Sequence, residues 1–373
     1  MIAAWAIERE YMQTALTWQF RRRFLAFACL TLMMAARADA QAYFDRYGLS
    51  PASAPVDLGV QPLGYPSGVI SAVMAHDRIL KQALIDLKRP LTSHAFRRGA
   101  DMVALLGDQR LEAGLLGDMP TILAASTGSV WIVGLVKQTS TALVAKGIAQ
   151  PGGLAGKRIG YVENSSAHHT LLQGLASAGL DESRAKLVPL QIDQMPDALE
   201  SGDIDAFAAW EPAPSMALAQ SDKNRIVFRG LSSDYFVIEQ DFAKRAPQAA
   251  RHLVAGFLRA IEWMHRSQRN VERAAAWAMA DATALSGKPG TLSVAQIVAI
   301  TRREILDIPS APAIPVGPGT PPLRNEFLFL SKLGKLPAAA RWESLQGAFS
   351  YDGLAQVLAE PRAFKIATFD YED

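Results

Sequence analysis

The sequence predicts an α/β fold in two lobes, each built on a mostly parallel sheet flanked by helices. Runs rich in β-branched and apolar residues alternate with amphipathic segments of helical period, and this alternation is typical of parallel sheets. Removal of an N-terminal export segment leaves 333 of the 373 residues. A chain of that length is too long for one hydrophobic core and suits two.

The predicted elements follow one another along most of the chain. The first strand, 56–60, comes after a Pro-rich lead-in and ends in a turn-rich loop at 61–68. Further strands are predicted near 91–96, at 130–136, 141–145, 157–162 and 187–190, before Trp210, and at 225–228 and 235–238. Helices are predicted after residue 68 and at 98–107, 120–127, 164–178, 243–267, 270–280, 293–307, 321–333 and 351–359. Residues 308–322, rich in Pro and Gly, predict a surface loop.

The first forty residues predict a cleavable signal peptide. A positive block, Arg21-Arg22-Arg23, precedes thirteen apolar residues at 24–36, and Ala38-Asp39-Ala40 supplies the small residues of a cleavage site before Gln41. Thirteen helical residues rise about 20 Å, which is too short for a hydrocarbon core of about 30 Å. Phe20 stands where a twin-arginine signal has Ser or Thr, so the Sec route to the periplasm is favoured.

Charge and cysteine content exclude several classes of function. The formal net charge of +2 lies within the predicted signal, and residues 41–373 hold 33 basic and 33 acidic side chains. A nucleic-acid surface would need a clustered basic excess. The single cysteine, Cys29, also lies in the signal, so the mature chain is expected to have no disulfide, thiolate nucleophile or Cys-ligated metal.

Other chemistry-bearing patterns are weak. His168 and His169 are adjacent, and neighbouring helical residues point about 100° apart, which does not suit chelation of one ion. The chain has no Gly-x-Ser-x-Gly elbow and no phosphate loop with Lys-Ser/Thr. We therefore expect no metal, no cofactor and no catalytic residue.

Four stretches carry a resemblance to a known family. The chain resembles the periplasmic solute-binding proteins of ABC transporters for aliphatic sulfonates, taurine and nitrate, a group that includes binders of thiamine-pyrimidine precursors. The stretches are Gly117-Asp118-Met119-Pro120 with Ala124-Ala125 and Gly128; Leu154-Ala155-Gly156-Lys157-Arg158-Ile159-Gly160; Asn164-Ser165-Ser166-Ala167-His168 with Leu171-Leu172 and Gly179-Leu180; and Ala198-Leu199 to Ala206 with Trp210-Glu211-Pro212.

The resemblance implies a type II periplasmic binding protein. One lobe would comprise 41–138 plus 240–373 and the other 139–239, closing by hinge motion on a small solute. Its implied partners are an ABC permease with its ATPase, and the protein is expected to be a monomer. Sulfonate- or taurine-like solutes lead, and neither nucleic acid nor the membrane is an expected partner after signal cleavage.

The candidate ligand-binding residues lie in loops beyond the carboxyl ends of strands, where open α/β sheets bind ligands. Ser165 and Ser166 begin a helix, whose free N–H groups favour an anion. Trp210 and Tyr65 offer flat apolar walls, and Glu211 suits an amine better than an anion. The full set is Gln61, Leu63, Tyr65, Asp118, Met119, Thr139, Asn164, Ser165, Ser166, Ala167, Trp210 and Glu211.

The residues leave the solute open. These loops contain no Arg, which favours a mono-anion, a zwitterion or a neutral heterocycle over a multiply charged anion. The alternatives are a binder of a thiamine-type pyrimidine or a small aromatic, and a receptor domain that senses its ligand. An enzyme resembling the aromatic sulfinate desulfinases is disfavoured, because those enzymes use a cysteine that the mature chain would lack.

Overall fold

The computed structural model describes residues 47–51, 54–305, 308–309, 312–314 and 320–372. The predicted signal peptide and its cleavage point lie outside these residues, as do 41–46, where the predicted first lobe begins. The compact unit that begins at Ser50 contains every helix and strand given below.

The elements alternate much as the sequence predicts. The strands are β1 (Val56–Val60), β2 (Leu91–Ala95), β3 (Ala113–Gly117), β4 (Val130–Lys146), β5 (Arg158–Tyr161), β6 (Lys186–Pro189), β7 (Ala206–Ala209) and β8 (Asn224–Glu239). The helices are α1 (Ser67–Ala75), α2 (Arg78–Asp86), α3 (Gly99–Gly107), α4 (Asp118–Ala125), α5 (Ser166–Ser177), α6 (Met195–Ser201), α7 (Ala213–Gln220), α8 (Gln240–Arg245), α9 (Pro247–Arg266), α10 (Gln268–Ser286), α11 (Val294–Ile305), α12 (Arg324–Lys332), α13 (Trp342–Gly347) and α14 (Gly353–Ala359).

The described strands form one mixed sheet in the order β2-β1-β3-β8-β4-β7-β5-β6. Strands β1, β2 and β3 are parallel at one end, and β5, β6 and β7 are parallel at the other. The long strands β4 and β8 run antiparallel in the middle and join the two parallel groups. Parallel strands covered by helices on their faces are the arrangement predicted from the alternating pattern.

Two separate hydrophobic cores lie on this sheet. The first contains Leu58 of β1, Val73 of α1 and Phe257 of α9, and we call the elements around it (β1–β3, α1–α4 and α8–α14) the first lobe. The second contains Phe207 of β7 and Leu171 of α5, and β5–β7 with α5–α7 form the second lobe. The predicted two-lobed α/β fold is confirmed, and the residues at which the lobes divide stay a prediction.

The centre of the sheet differs from the sequence-based expectation. We predicted separate strands at 130–136 and 141–145, but β4 is continuous, and its pairing with β8 extends from Val130 opposite Glu239 to Lys146 opposite Asn224. The strands predicted at 225–228 and 235–238 are likewise joined in β8. Polar residues at 137–140 interrupt the apolar pattern, but backbone hydrogen bonds do not need apolar side chains, so the ladder continues through them.

The helix predicted over 243–267 is divided into α8 and α9. Pro247 has no N–H, and Ala246 before it adopts φ −135° and ψ 59°, outside the helical region. Helix α13 was not predicted. None of the described helices combines the length and apolar composition that crossing a bilayer requires.

A buried ion pair fixes the C-terminal segment to the first lobe. Arg259 Nε donates to Asp77 Oδ2 over 2.7 Å, and both side chains are 1% exposed. Arg259 Nη1 also donates to the carbonyl of Phe364, and Asp77 forms a β-bridge with Tyr371. Burial raises the pKa of Asp77, and the charge of Arg259 opposes that rise. The pair therefore stabilises the fold only while both partners are present.

We predict that Arg259→Met lowers the free energy of unfolding by about 3–5 kcal/mol, because Asp77 would remain buried without its cation. Arg78→Met is the matched control. Arg78 pairs with Asp370 with both side chains 54% exposed, and the loss should stay below about 1 kcal/mol. Urea unfolding of the two variants measures the difference, and equal losses would contradict the role given to Arg259.

Candidate functional site

A polar cavity lies between the two lobes. It opens where β1, β3 and β7 reach their carboxyl ends and where β4 and β8 pass from one lobe to the other. Its lining residues are Gln61, Gly64, Ser67, Gly99, Gly117, Pro120, Lys137, Ser165, Ser166, Trp210 and Asp234. Both lobes and both central strands therefore contribute to one site.

One side of the cavity carries positive potential. Lys137 lies in the middle of β4, and only 2% of its surface is exposed. Helix α5 begins beside it: Ser165 is the N-cap, and its hydroxyl accepts a hydrogen bond from His168 N at 3.3 Å. The amides of Ser166 and Ala167 belong to the first turn and have no intrahelical acceptor. An ammonium and a helix N-terminus thus face the same space.

The opposite charge comes from β8. Asp234 lies directly across the ladder from Lys137 and also lines the cavity. Its Oδ2 accepts a hydrogen bond from the Ser67 hydroxyl at 2.5 Å. Within the described residues no ion pair joins Lys137 to Asp234. The cavity therefore holds one cation and one anion that face a common space from neighbouring strands.

An inter-lobe contact closes one wall of the cavity. The indole Nε1 of Trp210 donates to the carbonyl of Leu63 at 3.3 Å, and Tyr65 N donates to the carbonyl of Glu211 at 3.0 Å. A Cβ on Gly64 would lie 2.8 Å from Trp210 Nε1, so any larger residue would force the indole to move. Gly117 likewise allows a close approach at another wall of the cavity, because a Cβ there would collide with the Ser166 hydroxyl.

The structure brings four of the twelve predicted site residues to this cavity: Gln61, Ser165, Ser166 and Trp210. Gln61 is held by a hydrogen bond from its Nε2 to the carbonyl of Leu115 at 2.9 Å. Four other predicted residues do not line the cavity. Asn164, at φ 55°, and Ala167 flank the two serines. Met119 is fully buried, and Thr139 lies half-buried on β4.

Leu63 and Tyr65 line a different, apolar cleft. Burial, together with the nearby charge of Asp281, raises the pKa of Tyr65 to about 12. Asp118 is buried with its Oδ2 3.8 Å from His169 Nδ1. Glu211 pairs with Arg303 at 3.2 Å.

Sequence reasoning missed Lys137, Asp234 and Ser67. Lys137 and Asp234 are charged residues between apolar stretches that the sequence pattern assigned to separate strands. A charged residue between two strand-like runs was the available signal, but each polar stretch was interpreted as the connection between two separate strands. Ser67 lies just after the loop residues Gln61, Leu63 and Tyr65, which were predicted to bind the ligand. Its place in the site depends on its hydrogen bond to Asp234, 167 positions away in the sequence.

Ion pairs between the two lobes share one polarity. In four of them the first lobe supplies the cation and the second lobe the carboxylate. They are Arg97–Asp193, Lys288–Asp197, Arg303–Glu211 and Lys335–Glu182, with N···O distances of 2.8, 2.9, 3.2 and 2.8 Å. Burial alone would raise the pKa of Glu182, but Lys335 and His168 hold it below its usual value. The lobes are thus electrostatically complementary where they meet.

The adjacent histidines do not form a metal site. His168 Nδ1 accepts from Asn164 N at 3.2 Å, and its Nε2 faces Glu182. His169 faces Asp118 and the ring of Phe329. Among the described residues no group of three or more His, Cys, Asp or Glu side chains could hold a metal ion.

Comparison with known proteins confirms the predicted resemblance. Residues 116–279 match the model of the NMT1-like family. Over 166 residues the chain is 31% identical to the taurine-binding periplasmic protein of Escherichia coli (strain K12). The aligned stretch covers 42% of this chain and 52% of that protein. The chain therefore spans about half the length of this relative.

Two solved structures share the fold. One is the alkanesulfonate-binding protein of Xanthomonas axonopodis pv. citri bound to MOPS, with a TM-score of 0.60, 21% identity and coverage of 78% of this chain and 97% of that one. The other is the periplasmic aliphatic sulphonate binding protein of Escherichia coli, with a TM-score of 0.59, 19% identity and coverage of 79% and 92%. These relatives are binding proteins.

We predict that Arg97→Ala shifts the lobes toward a more open arrangement. Arg97 Nη1 donates to both carboxylate oxygens of Asp193, and the loss of one partly exposed ion pair of about 1 kcal/mol changes a two-state ratio about fivefold. Spin labels at Gln82→Cys and Lys186→Cys, in a chain with Cys29→Ser, would report the inter-lobe distance. Arg78→Ala breaks a pair inside the first lobe and should leave that distance distribution unchanged.

Proposed function

We propose that this chain is the solute-binding protein of an ABC importer and that it captures a small organosulfonate between its lobes. The observation that carries the proposal is the convergence of Lys137 and the N-terminus of α5 on one inter-lobe cavity. The similarity to a taurine-binding periplasmic protein supports the same class of solute.

The donors in the cavity match the chemistry of a sulfonate. A sulfonate carries one negative charge spread over three oxygens that accept hydrogen bonds. Free amides at a helix N-terminus and the Ser166 hydroxyl supply neutral donors, and Lys137 supplies one positive charge. A single buried ammonium suits a mono-anion, in agreement with the charge class expected from the sequence.

We propose binding without turnover. The lining of the cavity within the described residues includes neither cysteine nor histidine. The Ser165 hydroxyl donates to the carbonyl of Val162 at 2.6 Å, and the Ser67 hydroxyl donates to Asp234. Among the described residues neither hydroxyl is hydrogen-bonded to an imidazole base, which nucleophilic activation of serine usually requires.

The chain would reach its site of action through the predicted signal peptide at 1–40, with Sec export favoured. The pattern of the first forty residues and the periplasmic relative support this route. In the periplasm a monomer, with its lobes divided near 138/139 and 239/240, would close on the solute and deliver it to the permease and its ATPase.

Isothermal titration of the purified protein with taurine and with propane-1-sulfonate tests the proposal. We expect at least one of them to bind, and Lys137→Met to weaken that binding about 10- to 100-fold, since a hydrogen bond to a charged group contributes roughly 1.5–3 kcal/mol. Lys146→Met is the control, because Lys146 lies on the same strand and pairs with Glu200 outside the cavity.

Failure of both sulfonates to bind would refute the organosulfonate assignment. Unchanged affinity in Lys137→Met would remove the ammonium from the site. Consumption of either compound, followed by NMR, would show that the protein is an enzyme.

A further inference from the structure

The imidazole of His168 connects the start of α5 with a contact between the lobes. Its Nδ1 accepts a hydrogen bond from the Asn164 N–H at 3.2 Å, and its Nε2 lies 3.4 Å from Glu182 Oε1. Glu182 in turn pairs with Lys335 of the first lobe at 2.8 Å. A chain of polar contacts therefore leads from the first lobe to the residue just before the N-cap of α5.

These contacts determine which ring nitrogen carries the proton. A nitrogen that accepts the Asn164 N–H carries no proton of its own, so a neutral His168 must hold its proton on Nε2 and donate it to Glu182. Burial lowers the pKa of His168, of which only 3% is exposed. The site therefore favours the neutral ring.

The turn held by this hydrogen bond sets the start of α5. Asn164 has φ 55°, in the left-handed region that Asn tolerates better than most residues. Ser165 follows as the N-cap, and the free amides of the first helical turn come next, with Ser166 at the cavity. A change in the conformation of Asn164 would therefore move the amides that are aimed at the solute.

We propose that His168 is a positioning residue for solute binding, whose neutral ring holds the turn before α5 and thereby aims the anion-binding end of this helix at the cavity. His168 does not itself line the cavity. Glu182 and Lys335 fix the ring from the other side, so apposition of the lobes supports the same arrangement. This inference rests on the proposed function and adds to it a residue that acts without touching the solute.

Protonation of the ring opposes solute binding in this scheme. An imidazolium carries a proton on both nitrogens, so its Nδ1 cannot accept the Asn164 N–H. Affinity should therefore be complete above the pKa of His168 and fall as the pH drops through that value. Because burial lowers this pKa, the loss should begin below the range in which a histidine usually titrates.

The groups around the ring have opposite effects on its titration. The hydrogen bond and charge of Glu182 raise the pKa of His168, as does the charge of Glu163, whereas the charge of Lys335 lowers it. The ring of Tyr161 packs on the imidazole with centroids 4.7 Å apart. Removal of the Glu182 charge should thus lower the pKa of His168 further, and removal of the Lys335 charge should raise it.

Nitrogen-15 NMR of the imidazole side chains tests the hydrogen bond without any solute. At neutral pH we expect His168 to carry its proton on Nε2 and none on Nδ1. Its signals are identified by their loss in His168→Asn. A proton found on Nδ1 would overturn the inference, because that nitrogen could not accept the Asn164 N–H.

Isothermal titration with taurine and with propane-1-sulfonate, from about pH 8 to about pH 4.5, tests the link to binding. His168→Asn keeps an acceptor oxygen near the position of Nδ1 but does not titrate, so it should bind nearly as well as the unaltered protein at neutral pH and lose less affinity in acid. His168→Leu has no acceptor and should bind about 3- to 10-fold more weakly already at neutral pH. Carboxylates that titrate in this range contribute to every profile, so the difference between profiles isolates His168.

Charge variants provide a second signature. Lys335→Met should move the acid loss of affinity to higher pH, and Glu182→Gln should move it to lower pH. His252→Asn is the matched control, because His252 of α9 also has a pKa lowered by burial but lies in the first lobe outside the cavity lining. Its profile should match that of the unaltered protein. Shifts of the same sign in the two charge variants, or no shift in either, would refute the role of His168.

The inference and the proposed function can fail separately. If a sulfonate binds but His168→Asn and the unaltered protein lose affinity equally in acid, His168 is not the positioning residue although the protein is still an organosulfonate binder. If neither sulfonate binds at neutral pH, the proposed function is wrong and the inference falls with it. The unaltered protein and His168→Asn decide the matter even if His168→Leu does not fold.

Discussion

The antiparallel pairing of β4 with β8 is the interaction on which the rest of the structure depends. These two strands begin and end in different hydrophobic cores: Val136 and Phe236 pack in the first, whereas Leu143 and Phe228 pack in or against the second. Each lobe is thereby attached to the other by a continuous ladder. The middle of that ladder is the one stretch where neither core covers it, and the cavity lies there.

Irregularities in the ladder affect which side chains face the cavity. The register shifts between Ile132 and Gly134 and again between Leu135 and Lys137. Bulges bend a strand and redirect the side chains next to them. The second shift ends at Lys137, so the local irregularity and the buried ammonium coincide. The same strands that connect the lobes thus supply both charges of the proposed binding site.

Local patterns allowed part of this site to be predicted and concealed the rest. The serines at the start of α5 and Trp210 at the end of β7 belong to short motifs, in which capping and strand ends can be recognised from neighbours in the sequence. Lys137 and Asp234 acquire their role only through pairing across nearly a hundred residues. A periodicity argument interprets a polar stretch inside an apolar run as the end of a strand, and for β4 and β8 that interpretation was wrong.

Long-range contacts also explain why neighbouring loop residues have different surroundings. Gln61 and Gly64 line the polar cavity, while their neighbours Leu63 and Tyr65 line the apolar cleft. The loop position was predictable from the end of β1. The direction in which each side chain points was not predictable from the sequence, because contact with the second lobe determines that direction.

The two compartments have opposite effects on closure. The apolar cleft is lined from the first lobe by Leu63 and Met279 and from the second by Ile192 and Met216, so apposing the lobes removes apolar surface from water. The polar cavity works against this, because closure without a solute would desolvate the Lys137 ammonium, which has no ion-pair partner among the described residues. A solute whose anionic group pairs with Lys137, as proposed, would remove that cost only in the closed arrangement. It therefore has the differential affinity for one state that a binding-coupled conformational change requires.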